Sequence, residues 1–250
     1  MAYVTNPNLP SSRVRGVFAD SRISPKCKAG MESYGITTYA LAGSGKLAYP
    51  VASHPDMVCM HLGGKKWLFN NEVYEKNKLL IDCLFLDIKL CRESLSANYP
   101  LNVLYNGCII GRNIICKETS LSVMAQLEAS TQKMNIINVK QGYAKCSVCV
   151  VDERSIITSD FSIQEAAQRN GLDALLIQPG YIKLDGYDYG FIGGCSFKAD
   201  KNTLAFTGDI KKHPDYKKIL GFTKAKKVDI ISISDEPLYD YGSVLPIIQD

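Results

Sequence analysis

Internal repetition is the feature of this sequence that most constrains its fold. After Lys133 the chain reads MNIINVK, QGYAKC, SVCVVD, ERSIIT and SIQEAAQRNG. These segments predict in turn an apolar strand, a motif of small and polar residues, a hairpin with a charged turn, and a helix. The next segments, LDALLIQ, PGYIKLDGYDYGFIGGC, SFKAD, KNTLAFTGD and KHPDYKKILGF, follow the same order. Such repetition predicts a fold assembled from similar supersecondary units.

The same order occurs in the first half of the chain. One unit reads GITTYAL, ASHPDM, VCMHL, GGKK, WLFNN and EVYEKNKLLIDCL, and the next reads LNVLYNGC, IIG, RNIICK and TSLSVMAQLEAST. A fifth unit is split, because KVDIISIS, EPLYDYGS and VLPIIQ close the chain while RVRGVFADS and SPKCKAGMESYG open it. A C-terminal strand that completes the N-terminal unit closes a ring and leaves no exposed sheet edge.

Residues 1–250 are therefore predicted to form a single α/β domain, a five-unit pseudo-symmetric α/β propeller. The alternative is a doubly wound α/β sheet, which also alternates strands and helices. The doubly wound sheet is less favoured, because the hairpins predicted inside each unit indicate antiparallel strand pairing. In addition, no phosphate-binding glycine loop occurs in the sequence.

Five short segments lie at equivalent places, just before each predicted hairpin, and we call them the axis motifs. Successive axis motifs are roughly 40 to 50 residues apart,. Equivalent positions converge on the axis of a closed ring, so these segments are expected to line one pocket. The axis motifs are His54-Pro55-Asp56, Asn106-Gly107-Cys108, Ala144-Lys145-Cys146, Gly193-Gly194-Cys195 and Tyr241-Gly242-Ser243.

Composition narrows the class of protein. Of the 250 residues 46% are hydrophobic and 22% are charged, which is typical of a soluble globular protein,. The net charge of +4 is too small to indicate nucleic-acid binding,. No apolar run reaches about 18 residues, so no membrane span is expected. The N-terminus lacks the apolar run of a signal peptide, and the nine cysteines are therefore expected to be reduced thiols in a cytoplasmic protein,.

The segments SHPDM, QGYAKCSV, GYDYGFIGGCSF, FTGDIKKHPD and DYGSVLPI resemble the pentein superfamily over nearly the whole chain. That superfamily includes arginine and agmatine deiminases, dimethylarginine hydrolases, amidinotransferases and non-catalytic ribosome-binding relatives. The resemblance is closest to an uncharacterised bacterial family with the guanidine-modifying-enzyme fold. It implies a hydrolase, deiminase or amidinotransferase with a cysteine nucleophile, a histidine acid/base and carboxylates that hold the guanidinium. Penteins are often dimers, so the resemblance makes a homodimer a candidate assembly, although the sequence does not give the oligomeric state.

Only some of the catalytic residues of the superfamily have counterparts in this sequence. Asp56 lies where the enzymes place a substrate-binding acid. Asn106 lies where they tend to have glutamate, Ala144 and Lys145 lie about where they have the catalytic histidine, and Ser243 lies near the place of the nucleophilic cysteine. The usual cysteine–histidine pair is therefore missing at its usual positions.

A relocated catalytic pair is one interpretation. Cys195 would be the nucleophile and His54 the acid/base, with Asp56 and Asp188 on the substrate cation. The alternative for Cys195 is a small buried side chain packed near the axis. The full predicted substrate-binding set is Asp56, Asn106, Lys145, Asp188, Asp240 and Ser243.

Neither a metal nor a cofactor is predicted. Equivalent cysteines in three units, with His54, could hold a soft metal. However, the axis motifs lack closely paired ligand spacings, and Cys146 and Cys149 fall on a predicted strand, where residues three apart face opposite sides. Lys145 could bind an anion or pair with Asp56 or Asp240. His61 and His213 are expected at the surface.

Three hypotheses for function remain at this stage. The first is an enzyme that acts on a guanidine-like C–N bond with altered residues. The second is a non-catalytic pentein that binds a small molecule or a partner. The third, a ribosome- or RNA-associated factor, rests only on analogy of fold.

Overall fold

The computed structural model describes all 250 residues, and its strands form five small sheets. The strands, numbered in chain order, are β1 (Ala2–Tyr3), β2 (Val14–Asp20), β3 (Thr37–Leu41), β4 (Cys59–Gly63), β5 (Lys66–Asn70), β6 (Asp87–Cys91), β7 (Cys108–Ile110), β8 (Asn113–Cys116), β9 (Asn135–Asn138), β10 (Cys149–Asp152), β11 (Ser155–Thr158), β12 (Asp173–Leu176), β13 (Ser196–Asp200), β14 (Thr203–Phe206), β15 (Asp229–Ser232) and β16 (Leu245–Gln249).

Helices connect the strands within each unit. They are α1 (Pro25–Ser33), α2 (Pro55–Val58), α3 (Asn71–Lys76), α4 (Lys78–Asp82), α5 (Val123–Thr131), α6 (Ala144–Ser147), α7 (Phe161–Arg169) and α8 (Tyr216–Ala225). No helix is long and apolar enough to cross a lipid bilayer.

Four of the sheets share one topology. Each consists of an antiparallel hairpin and a third strand that returns after a helix to pair in parallel with the second hairpin strand. The remaining sheet has the order β1-β16-β2-β3, in which the C-terminal strand β16 pairs antiparallel with β2. The five small sheets fit the five-unit repeat of the sequence and give a mixed α/β fold.

The structure shifts the boundary of each unit by one strand. The apolar strand taken to open a unit is the third strand of the preceding sheet, as in the parallel pairing of Ile156 on β11 with Ala174 on β12. A strand–helix–strand connection folds the helix back onto its own sheet, so the returning strand belongs to the hairpin before it. In the third unit the segment 101–107 is not a strand, and β6 takes the expected place.

Helix ends follow local chemistry. The Ser24 hydroxyl accepts a hydrogen bond from the backbone N–H of Cys27 at the start of α1 (3.0 Å), and the Asp160 carboxylate caps α7 through the N–H of Ile163 (3.0 Å),. Gly35 has a φ of 71° just after α1, in the left-handed region that glycine enters without steric cost,. These caps mark where α1 and α7 begin and where α1 ends.

The strands pack through their buried faces into four apolar clusters. In the largest, Trp67 contacts Phe18 edge-to-face with ring centroids 5.0 Å apart. His61 is buried and stacks on Trp67 at 4.3 Å, and His213 is also buried, so the surface positions expected for these two histidines were wrong. Histidine counts as a polar residue in a sequence pattern, which is why a surface position was expected. Its flat ring can nevertheless pack in the core as an aromatic side chain does.

Ile247 tests the contribution of β16 to stability. Its side chain is inaccessible to solvent in the largest cluster, so Ile247→Ala is expected to lower the free energy of unfolding by about 2–5 kcal/mol in urea titrations,. Leu79→Ala, the loss of an exposed aliphatic side chain, should change it by less than about 0.5 kcal/mol,. Equal effects would show that β16 adds nothing to the core.

Candidate small-molecule site at the axis motifs

The five axis motifs meet and are joined by buried hydrogen bonds that run from each motif to the next. This connection uses backbone groups and the side chain of Asn106. The bonds are Asp56 N–H to the Gly242 carbonyl (3.1 Å), Asn106 Nδ2 to the Asp56 carbonyl (3.2 Å), Lys145 N–H to Asn106 Oδ1 (2.7 Å), Gly194 N–H to the Cys146 carbonyl (2.9 Å) and Ser243 N–H to the Gly194 carbonyl (3.1 Å).

Two glycines permit this close approach. A Cβ atom on Gly194 would overlap the Asp240 carboxylate, and one on Gly242 would overlap the His54 side chain. Gly242 also has a φ of 66°, a conformation that is costly for other residues,. The glycines of the fourth and fifth axis motifs therefore bring Asp240 and His54 against the backbone of their neighbours.

His54 lies between two buried carboxylates. Its Nε2 is 3.9 Å from Asp20 Oδ2 and its Nδ1 is 3.9 Å from Asp240 Oδ1, which is too long for a hydrogen bond,. Neither ring nitrogen has a hydrogen-bond partner, although both are inaccessible to solvent. Asp20 in turn is held by a two-pronged ion pair with Arg22, whose Nη2 is 2.7 Å from Oδ2 and Nε 3.0 Å from Oδ1.

Asp56 and Lys145 are bridged by a serine hydroxyl. Ser243 Oγ donates to Asp56 Oδ2 (2.6 Å) and accepts from Lys145 Nζ (2.9 Å). Asp56 Oδ2 also accepts from the Cys146 thiol at 3.1 Å, while its Oδ1 has no partner. The buried lysine charge is thus balanced by Asp56 through Ser243.

The thiol beside His54 belongs to Cys146. A nitrogen of His54, an oxygen of Asp56 and Sγ of Cys146 all lie within 4.8 Å of one another. Burial raises the pKa of the Cys146 thiol well above its ordinary value, and the charges of Asp56 and Asp240 raise it further. Cys146 lies on α6 and Cys149 begins β10, so the strand predicted across both residues forms only at the second.

Cys195 lies elsewhere. Its side chain is inaccessible to solvent in an apolar cluster, and its Sγ donates to the Ile192 carbonyl at 3.4 Å. Burial raises its pKa well above the ordinary value. The structure thus places the predicted nucleophile in the core and a different thiol beside His54.

A cavity of about 340 Å³ opens over His54 and Cys146. Two carboxylates and four aromatic rings line it, and no lysine or arginine does. Five of its twelve lining residues come from the loop before β13. The lining residues are Val51, His54, Met57, Gln141, Tyr143, Cys146, Leu184, Tyr187, Asp188, Tyr189, Phe191 and Asp240.

Asp240 is the buried carboxylate of this cavity. Its Oδ2 accepts from the Phe191 N–H and its Oδ1 from the Gly242 N–H, both at 2.8 Å. Burial raises the pKa of Asp240, while His54 and the two backbone donors act in the opposite direction. Asp188 is exposed at the mouth. A second cavity of about 340 Å³, which includes Asp20, Arg22 and Asp185, shares only His54 with the first.

The structure thus divides the residues predicted for the site. His54, Asp188 and Asp240 line the cavity, whereas Asp56, Asn106, Lys145 and Ser243 form the buried network that joins the axis motifs.

Sequence reasoning did not single out Asp20 or Tyr143 as site residues. Asp20 ends a strand that is otherwise almost entirely apolar, and a carboxylate at such a position is the signal that could have identified it.

Solved structures with the same fold span nearly the whole chain at very low identity. The inosamine-phosphate amidinotransferase StrB1 from Streptomyces griseus has a TM-score of 0.65 and 6% identity over 99% of this chain and 97% of that one. The amidinotransferase SxtG from Microseira wollei has 0.58 and 9% over 92% and 91%. Agmatine deiminase from C. jejuni has 0.53 and 11% over 91% and 90%. The fold is that of the pentein superfamily.

The sequence itself matches one family model. Residues 18–245 match DUF6873, described as a family of unknown function. The chain belongs to this family. No curated protein matches the sequence.

Ser243 tests the buried network. Ser243→Ala would leave Lys145 Nζ without its hydrogen-bond partner and remove one from Asp56, so the free energy of unfolding should fall by about 1–3 kcal/mol,. Alanine has the same steric conflict as serine at the φ of 69° found here, so backbone strain does not differ between the two proteins. The control is Ser33→Ala, which removes an exposed hydroxyl. Equal stability of the two variants would contradict the network.

Proposed function

We propose that the cavity over His54 binds a small organic cation that carries a guanidino or amidino group. The observation that carries the proposal is the lining of the cavity, with Asp240 and Asp188 as carboxylates, four aromatic side chains, and no basic residue other than His54. The fold adds support, because the similar solved structures are named as amidinotransferases and an agmatine deiminase.

Charge favours a cation at this place. Arg22 balances Asp20, and Lys145 balances Asp56 through Ser243. Asp240 has only backbone donors and the His54 ring near it, so a negative charge at Asp240 is not matched by a lysine or arginine. A planar guanidinium or amidinium can donate parallel hydrogen bonds to such a carboxylate.

The aromatic rings complete the site. Tyr143 and Phe191 stack with centroids 6.3 Å apart, and Tyr189 meets Phe191 edge-to-face at 6.1 Å. A cation within about 6 Å of an aromatic face is attracted by the negative potential of the ring. The walls therefore suit the flat, weakly hydrated face of a guanidinium.

Binding is expected to depend on the charge of the ligand. In isothermal titration calorimetry, agmatine or arginine should bind at least tenfold more tightly than citrulline, in which a neutral ureido group replaces the guanidino group; tenfold is about 1.4 kcal/mol. Asp240→Asn should remove most of this preference. Asp185→Asn, which changes a carboxylate of the neighbouring cavity, should keep it. Equal binding of charged and neutral ligands would contradict the proposal.

Catalysis on the same group is the second candidate, and the grouping of Cys146, His54 and Asp56 favours it. Sγ of Cys146 would bond to the guanidino carbon as its proton passes to His54. The C–N bond to the leaving amine would then break, and His54 would return the proton to that amine. Water or an acceptor amine would next take the amidino group from Sγ, and the thiol would be restored. A bound cation would stabilise the thiolate and so oppose the effect of burial on the pKa of Cys146.

The two thiols can be distinguished by activity. If the protein releases ammonia or an amine from a guanidino compound, Cys146→Ala should abolish the release, and Cys195→Ala should retain it at no less than about one tenth of the wild-type rate, about 1.4 kcal/mol in barrier. Loss of activity in Cys195→Ala alone, with the protein still folded by circular dichroism, would restore Cys195 as the nucleophile. No release from any guanidino compound that binds would leave a binding protein.

A further inference from the structure

His54, Asp56 and Cys146 are arranged as a set of metal ligands. One donor atom from each lies within 4.8 Å of the others, and the side chains are 1%, 1% and 3% exposed. A tetrahedral zinc ion with nitrogen, oxygen and sulfur ligands at about 2.0–2.3 Å sets its donor atoms about 3.3–3.6 Å apart. Asp56 Oδ2 and Cys146 Sγ are already 3.1 Å apart. The remaining donor separations, at most 4.8 Å, shorten when all three atoms bind one ion.

Unpartnered polar atoms point independently to a ligand at this place. Both ring nitrogens of His54 and Oδ1 of Asp56 are inaccessible to solvent and have no hydrogen-bond partner. A buried polar atom without a partner costs about 1–3 kcal/mol, and native structures contain few of them. A cation bound by one ring nitrogen and by Oδ2 would use one of these three atoms, and a cation bound through Oδ1 would use two.

The surroundings of His54 suit a metal-bound imidazole. Whichever ring nitrogen bound the ion, the other would face the carboxylate of Asp20 or Asp240, which lie 3.9 Å away on either side. Histidine ligands of metals commonly donate their second N–H to a carboxylate, which fixes the ring and strengthens its metal bond. Asp20 is itself held in place by Arg22.

The charges also balance. With the Cys146 thiol deprotonated, it and the carboxylates of Asp20, Asp56 and Asp240 carry four negative charges. A divalent cation together with Arg22 and Lys145 carries four positive charges. Lys145 bonds to Ser243 Oγ and not to a ligand atom, so it does not occupy the place of the ion.

We propose that His54, Asp56 and Cys146 bind one thiophilic divalent cation, Zn²⁺ or a similar ion. The Cys146 thiol releases its proton to solvent, and the thiolate coordinates the ion. His54 and Cys146 line the cavity, so the fourth coordination position faces it. Three protein ligands with one open position is the arrangement of zinc sites that accept a further ligand.

Cobalt(II) titration of the full chain tests the site. We expect absorption to saturate at one Co²⁺ per chain, with a near-ultraviolet thiolate-to-cobalt charge-transfer band and the strong visible bands of a four-coordinate ion. Zn²⁺ should displace the Co²⁺. In Cys146→Ser the charge-transfer band should vanish and the affinity should fall by more than about 100-fold, the upper end of what loss of an outer-sphere partner causes.

Cys83→Ser is the matched control, because Cys83 is the exposed cysteine and could bind metal adventitiously. This variant should keep the spectrum and the stoichiometry. Persistence of the charge-transfer band in Cys146→Ser, or its loss in Cys83→Ser, would overturn the assignment. Absence of saturable binding of both Co²⁺ and Zn²⁺ by the wild-type chain would overturn it even if a variant failed to fold. No guanidino compound is present, so this outcome is separate from that of the proposed function.

Discussion

The hydrogen bonds that join the five axis motifs are the constraint on which the rest of the structure depends. Each motif comes from a different unit, so the residues that these hydrogen bonds join lie tens of residues or more apart in the chain. Asn106 contributes with both ends of its amide, because Nδ2 donates to the Asp56 carbonyl and Oδ1 accepts from the backbone of Lys145 and Cys146. Because these groups are buried, the loss of any one of the hydrogen bonds would reduce the stability of the folded state. The five sheets therefore hold their positions relative to the centre, and the side chains beside it are placed with little freedom.

Most of the buried charges beside these hydrogen bonds are compensated by a charge of opposite sign. Arg22 accompanies Asp20, and Lys145 accompanies Asp56 through a serine. Both ring nitrogens of His54 and Oδ1 of Asp56 lack a hydrogen-bond partner, and Asp240 has backbone donors but no lysine or arginine beside it. His54 and Asp240 line the cavity with Cys146. A structural ion-pair network tends to satisfy its members. Unpartnered atoms where this network meets a cavity are therefore better explained by a ligand than by packing.

The fold alone does not decide which chemistry this chain performs. The pentein fold is shared with enzymes that are only 6–11% identical to this chain in sequence. The fold by itself therefore assigns no reaction. Here the thiol nearest the histidine comes from α6, and the histidine comes from the residue that precedes α2. The guanidino site and the metal site proposed above both use this pair, and in both the function depends on what meets Cys146 and His54 in the cavity.

The amino-acid sequence by itself determined the five-unit repeat, the α/β class and the positions of the axis motifs, because strand and helix periodicity, caps and turn glycines are local signals. It also indicated His54 and Asp240 as residues near a pocket. Only the tertiary structure decided that Cys146, and not Cys195, lies beside His54, and that Asp20 faces the same ring. Both cysteines stand at the third place of equivalent motifs, so an alignment of the repeats does not distinguish them. Which way each thiol points depends on the short helix α6 in one unit and a tight turn in another, and on contacts between residues about 90 positions apart in the chain.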